Sequence, residues 1–362
     1  MNYREVEIFA PKDMGAAGTE PIDIKVKDLL SSIEIIWQTT VVTAALMTAP
    51  HVDCITKIEL VDGSDVLFGM SGKDAQALAF YGSGKMPLNQ ISVKAAEYMR
   101  SVIPIYFGRK LFDKQLALDP KRFSNLQLKV TWDEDAANAS VVANELTVRG
   151  WTFDQKVITP LGFLMSKEIK SYTPVASDYE YTKLPRDYPY RLLMLESYST
   201  DKEPGEVLAL LKLSEDNDKR IPIEMTGQEI LRKLCVPAGE IEENIEGADA
   251  VTASALYVAP TAMVRPQAEV DADAIAAADD FSQVTVAGNK CSVDLAVGCL
   301  YYGFVVRGFA PHHCLMVPFG DIQDLDDIQP VSEIGDLQLI TQGAAAVGTS
   351  PNAKVIIQQL RS

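Results

Sequence analysis

Apolar and polar residues alternate most cleanly at Leu126–Trp132, where Leu126, Leu128, Val130 and Trp132 face one way and Gln127, Lys129 and Thr131 the other. That period of two is the pattern of a strand with one buried face. The stretch Ile103–Trp132 reads as a short apolar strand ending in Phe107-Gly108, a polar loop with turn chemistry at Asp119-Pro120, and then this strand. Leu315–Gln342 repeats the arrangement: Phe319-Gly320 answers Phe107-Gly108, and Leu337-Gln338-Leu339 answers Leu126-Gln127-Leu128. The spacings agree, with 18 positions from Gly108 to Leu126 (126 − 108) and 17 from Gly320 to Leu337 (337 − 320).

Other elements repeat around this pair. Ile22–Val26 alternates as a first strand, and Ser32–Thr40 is a β-type run rich in Ile, Trp and Thr. Ile55–Leu60 and Val66–Phe68 flank Asp62-Gly63, a strong hairpin signal. Ser71 then caps a helix, with Asp74 three positions on and Met70 able to staple onto Ala75; the helix runs to about Phe80 and stops at Gly82-Ser83-Gly84. Thr226, Glu229, Met225 and Ile230 write the same start again, after Leu211-Lys212-Leu213 in place of Ile58-Glu59-Leu60. The last strand of each unit is Glu145–Val148 and Lys354–Ile357, and Gly150 marks a bulge where the apolar parity flips. The second unit has Ser214–Lys219 where the first has Asp62-Gly63.

The pattern divides the chain into an N-terminal arm (1–20), a first unit (21–160) and a second unit (161–362), joined at Asp154–Leu161. The second unit carries an insertion at about 236–290, rich in Ala, Pro and acid and including Asp271–Asp280. Its ten acidic residues stand against only Arg265 and Lys290, so it is expected to be an exposed elaboration at one end of that unit.

Composition adds exclusions. With 33 basic and 50 acidic residues the net charge is −17, the opposite of what displacing counterions from nucleic acid requires. The N-terminus MNYREVEIFAPKD has no signal-peptide pattern. The apolar run Leu295–Val306 falls short of the roughly 18–20 residues of a membrane span and reads as a buried strand pair. Five scattered cysteines (54, 235, 291, 299 and 314) fit free, buried thiols in a reducing compartment. The sequon Asn138-Ala139-Ser140 lacks a secretory context.

Candidate chemistry is thin, and no catalytic, cofactor-binding or metal site is assigned. There is no P-loop, G-x-G-x-x-G, G-x-S-x-G or H-E-x-x-H. The histidines are His51, His312 and His313; adjacent residues on a strand diverge, so His312-His313-Cys314 reads as a strand entrance rather than a ligand set. Asp271-x-Asp273 and Asp324-x-Asp326 lack the Gly and distal Glu of a calcium loop. Trp37, Trp132 and Trp151 sit in strand patterns, where a core role is the default. Arg109-Lys110 forms a small basic spot that suits either an intersubunit ion pair or a solvated face.

Two tandem all-β units, each with a Pro-x-x-Phe-Gly (Pro104–Gly108) or Pro-Phe-Gly (Pro318–Gly320) strand end, a capped helix and a Leu-Gln-Leu strand, resemble the double jelly-roll major capsid proteins of tailless icosahedral viruses, the lineage that includes the adenovirus hexon. Leu118–Trp132 is the most telling part, and the resemblance spans Ile22 to Leu360. It implies an all-β fold of two eight-stranded jelly-roll sandwiches with short helices and a loop insertion in the second. It also implies a non-enzymatic capsid subunit without cofactor, forming homotrimers of pseudo-hexagonal outline that tile a shell. Partners would be neighbouring capsomers, vertex or minor capsid proteins and an internal membrane beneath the arm, with no specific nucleic-acid binding. The protein would be assembled in the host cytoplasm and reside in the virion, with the acidic insertion as an outer tower. A paired jelly-roll enzyme or lectin acting on glycans is the rival reading, and a minor capsid or spike protein a third.

Overall fold

The computed structural model describes residues 2–41, 47–92, 97–137, 141–247, 254–269, 281–288, 290–295 and 302–362. Sixteen of the strands form two sandwiches of the same design. In the first unit one sheet has the order Tyr3–Asp13, Val141–Phe153, Leu30–Val41, Tyr98–Tyr106, and the facing sheet the order Ala17–Asp23, Leu126–Asp133, Ile55–Asp62, Asp65–Met70. In the second unit the corresponding orders are Phe163–Tyr172, Asn352–Arg361, Tyr190–Tyr198, Cys314–Pro318 and Tyr179–Lys183, Leu337–Gly343, Leu208–Glu215, Arg220–Met225. The two Leu-Gln-Leu strands therefore hold the same place in each unit, second from the edge. Both alternate as their sequences require, with Leu126, Leu128, Leu337 and Leu339 buried and Gln127 and Gln338 half-buried.

The repeated Phe-Gly strand end has a steric cause. A Cβ on Gly108 would lie 2.6 Å from Asp113 Cβ, and one on Gly320 would lie 2.8 Å from Asp327 Cβ. In both units this aspartate folds back over the glycine and accepts the next backbone N–H, Arg109 N at 3.2 Å and Asp321 N at 2.9 Å. The capped helices are present too. Ser71 Oγ accepts Asp74 N and opens the helix Gly72–Ser83, which ends at Gly84 with φ 71°. Thr226 and Glu229 form a full capping box on the shorter Gly227–Ile230. Gly63 turns the first hairpin at φ 62°, whereas the second uses three successive left-handed residues, Asp216, Asn217 and Asp218.

Several expectations change. Residues 1–20 are not a free arm: Tyr3–Asp13 pairs with Val141–Phe153 from Tyr3↔Phe153 to Asp13↔Glu145, and Ala17–Asp23 pairs with Leu126–Asp133. An edge strand has a paired neighbour on one side only and tolerates the charges Arg4, Glu5 and Glu7, which hid its pattern. The first strand over the Ile22 region runs Ala17–Asp23 rather than Ile22–Val26, although Ile24 is also buried. Gly150 is not a bulge. It pairs in register with Val6 and Ile33, and glycine is needed because a Cβ there would meet Ile8 Cδ1 at 2.9 Å; the bulge is across from it, at Ile8. The described part of the insertion is mostly β-structured rather than loop: Ile241–Gly247, Pro260–Glu269 and Tyr302–Pro311 make a four-stranded sheet with Ile91–Ser92, and Ser254–Tyr257, Lys290–Leu295 and Phe281–Ala287 make a three-stranded one. The acidic run Asp271–Asp280, the sequon at Asn138, Cys299 and residues 296–301 of the apolar run lie outside the described residues.

Candidate functional site: the seam between the two units

The two units share one sheet. Strand Asp65–Met70 of the first pairs in parallel with Phe163–Tyr172 of the second, Phe68 opposite Ser166 and Gly69 opposite Lys167, so two four-stranded sheets become one of eight. Arg361 reaches back across this junction to Asp65 at 2.6 Å. The helix Gly72–Ser83 of the first unit lies against Tyr302–Pro311 and Cys314–Pro318 of the second, and Tyr81 Oη donates to the Cys314 carbonyl at 2.7 Å. Strand Tyr190–Tyr198 is consequently buried along nearly its whole length, because both of its faces are covered.

A charged cluster is sealed into this seam. Lys354 Nζ lies 2.8 Å from Asp74 Oδ2 and 2.8 Å from Glu196 Oε2; Lys73 Nζ lies 3.0 Å from Glu196 Oε1 and 3.6 Å from Asp53 Oδ2. Asp74 and Glu196 are fully buried, and two of the four ion pairs, Lys354–Asp74 and Lys73–Glu196, link one sandwich to the other. Burial raises the Glu196 pKa, but Lys73 and Lys354 outweigh it and hold the carboxyl below its ordinary value. For Asp53 burial wins over Lys73 and the pKa rises. Burial also works against both ammonium groups, yet the neighbouring carboxylates raise Lys73 and Lys354 above the ordinary lysine value.

Two of the three histidines sit on the same seam. His312 and His313 are buried at left-handed backbone positions in the turn between Tyr302–Pro311 and Cys314–Pro318, not on a strand. His312 Nε2 lies 3.1 Å from Gln76 Oε1 of the capped helix. His51 lies within the first unit, between Thr39 Oγ1 at 2.9 Å and Ser101 Oγ at 2.8 Å. Burial pushes all three down to about 3. No group of three or more His, Cys, Asp or Glu suited to a metal ion occurs among the described residues.

Of the other residues singled out by sequence, Trp37 and Trp132 are core, with rings 6.0 Å apart, while half-buried Trp151 packs edge-on against Phe112 at 5.7 Å. Arg109 is not a plain solvated side chain. It pairs with Asp113 at 2.8 Å and donates through Nη1 to the Gln323 carbonyl of the second unit at 2.7 Å, another internal tie. Asp324 accepts the N–H of Asp326 in a turn. Cys54, Cys235, Cys291 and Cys314 are free and buried. Sequence reasoning missed Lys73, Asp74, Glu196 and Lys354 as a group, since nothing in their spacing announces that they meet.

No family model and no curated protein matches the sequence. Solved structures do match the fold. The major capsid protein (MCP) of Sulfolobus turreted icosahedral virus (STIV) superposes with a TM-score of 0.61 at 9% identity, over 99% of this chain and 97% of that one. PBCV-1 VP54 gives 0.56 at 10% identity, over 99% and 93%. The major capsid protein of bacteriophage PM2 gives 0.50 at 10% identity, over 99% and 98%. The likeness runs through both units and the seam between them, and the chain therefore has the double jelly-roll fold of these three viral proteins.

Proposed function

We propose that this chain is the major capsid subunit of an icosahedral virus, with a structural rather than catalytic role. The observation that carries the reading is the end-to-end match: 99% of this chain aligns with 97% of the STIV MCP. The seam supports it. A shared sheet, a buried charge cluster and a helix wedged across the junction fix two sandwiches as one rigid building block, as a tiling subunit requires. Three chains would form the capsomer, six sandwiches giving a pseudo-hexagonal outline, with neighbouring capsomers and vertex proteins as further partners in the virion. Obligate interfaces of this kind are large and core-like, so free monomer should be scarce. Native mass spectrometry of the purified protein tests this. The expected species is three times the 39.6 kDa of one chain; a stable monomer at micromolar concentration would count decisively against it.

A further inference from the structure

The seam inside the chain has two ends that are left open. Its donor strand is Asp65–Met70, the outermost strand of the first unit's second sheet; its acceptor is Phe163–Tyr172, the outermost strand of the second unit's first sheet. The equivalent of the donor in the second unit is Arg220–Met225, which likewise precedes a capped helix, and among the described residues it is an unpaired sheet edge. The equivalent of the acceptor in the first unit is Tyr3–Asp13, also an unpaired edge among the described residues. Each chain thus presents one free copy of each half of a junction it already makes once.

The register can be read off. The acceptor Phe163–Tyr172 has a bulge at Ile169, between Glu168 and Lys170; Tyr3–Asp13 has a bulge at Ile8, between Glu7 and Phe9. Both isoleucines pack against their cores. Aligning the bulges makes Val6 the counterpart of Lys167 and Glu5 the counterpart of Ser166. Aligning the helix caps Ser71 and Thr226 makes Glu224 the counterpart of Gly69 and Ile223 the counterpart of Phe68. We infer that Arg220–Met225 of one chain pairs in parallel with Tyr3–Asp13 of a second copy, Glu224 opposite Val6 and Ile223 opposite Glu5, so that the contact between chains repeats the contact within one.

The chemistry is compatible. Glu224 is exposed, and Arg4, already paired with Asp28 at 2.7 Å, lies two positions from Val6 on the face that Glu224 would share. Ile221, 40% exposed at the open edge, would be covered. Pro222 has no N–H to offer, so the template for strand addition is the edge row of N–H and C=O groups after it, at Ile223 and Glu224. The contact is heterologous, head to tail, and closes only as a ring. The proposal rests on the trimer reading and adds to it which strands meet and in what register.

Cysteines at Val6 and Glu224 in one chain test it. Oxidation of the purified V6C/E224C protein is expected to give covalently closed three-chain species on a non-reducing denaturing gel. The shifted pair E5C/E224C, whose side chains would point to opposite faces, is expected to stay monomeric under the same treatment. A trimer by native mass spectrometry that V6C/E224C fails to cross-link, or that both pairs cross-link equally, overturns the strand pairing while leaving the trimer standing. Absence of any trimer overturns the reading beneath it and the pairing together. Hydrogen exchange on the unmodified protein gives a second measurement without substitutions. Backbone amides in 4–7 and 223–225 should be as protected as those in 166–168, and fast exchange there would refute the pairing.

Discussion

Replacing Lys354 with Met isolates the role of the sealed charges. The methionine keeps the unbranched apolar stem, so little packing is lost. What disappears is an ammonium 2.8 Å from both Asp74 and Glu196, two carboxylates with no exposed side-chain surface. Lys73 alone would then face Asp53 and Glu196, with Asp74 left uncompensated. Removing one partner of a buried ion pair typically costs about 3–5 kcal/mol, because the remaining charge stays desolvated. At about 2.1 cal/mol/K per residue, a chain of this length unfolds with an entropy near 0.8 kcal/mol/K, so the melting temperature should fall by about 4–6 °C. Guanidinium unfolding followed by the fluorescence of buried Trp37 and Trp132 would read the same loss as a lower midpoint. Adding Asp74→Asn to Lys354→Met should recover a substantial part of it, since the neutral amide removes the orphaned charge. A single variant within about 1 kcal/mol of the parent would show that the cluster is hydrated and not a link between units. Because Glu196 titrates below its ordinary 4.5, its contribution is present above that pH and lost as pH falls through the lowered folded value.

Two further outcomes follow from the same geometry. His51, His312 and His313 are held neutral near 3 against an ordinary 6.5, so below 6.5 the unfolded chain takes up protons that the folded chain refuses. Stability should be full above pH 6.5 and fall towards pH 3, by about 1.4 kcal/mol per pH unit for each histidine. His51→Gln should remove one histidine's share of that slope in urea midpoints taken from pH 7 to pH 5, and an unchanged slope would refute the assignment. Gly108→Ala and Gly320→Ala should each cost about 1–3 kcal/mol in denaturant unfolding, because the new Cβ meets the aspartate folded over it; parent-like stability in either would sink the steric account.

The parts of the fold legible in sequence are those written by local chemistry. The Leu-Gln-Leu strands announce themselves by alternation, the helices by Ser71 and Thr226 with their partners three positions on, and the repeat by matched spacing. What stayed hidden depends on contacts distant in sequence. Tyr3–Asp13 carries charges that an edge strand keeps in water, so it read as an arm. The parallel step from Phe68 to Ser166 leaves no periodic mark. Lys73 and Asp74 lie in one helix, Glu196 and Lys354 in two distant strands, and only folding brings them together; alone, Asp74 reads as a helix-cap partner and the others as surface charges. His312 and His313 looked incidental because their left-handed turn, buried against the capped helix, cannot be inferred from two adjacent histidines.

The central claim is that one sandwich, written twice and locked at a sealed seam, builds a ring with its own kind. Single-particle electron microscopy of the purified oligomer tests it most directly. The account predicts particles of three chains with six lobes of similar size, each chain contributing two joined as described. A monomer, a two-fold dimer, or a ring in which the two units of a chain stand apart would contradict it.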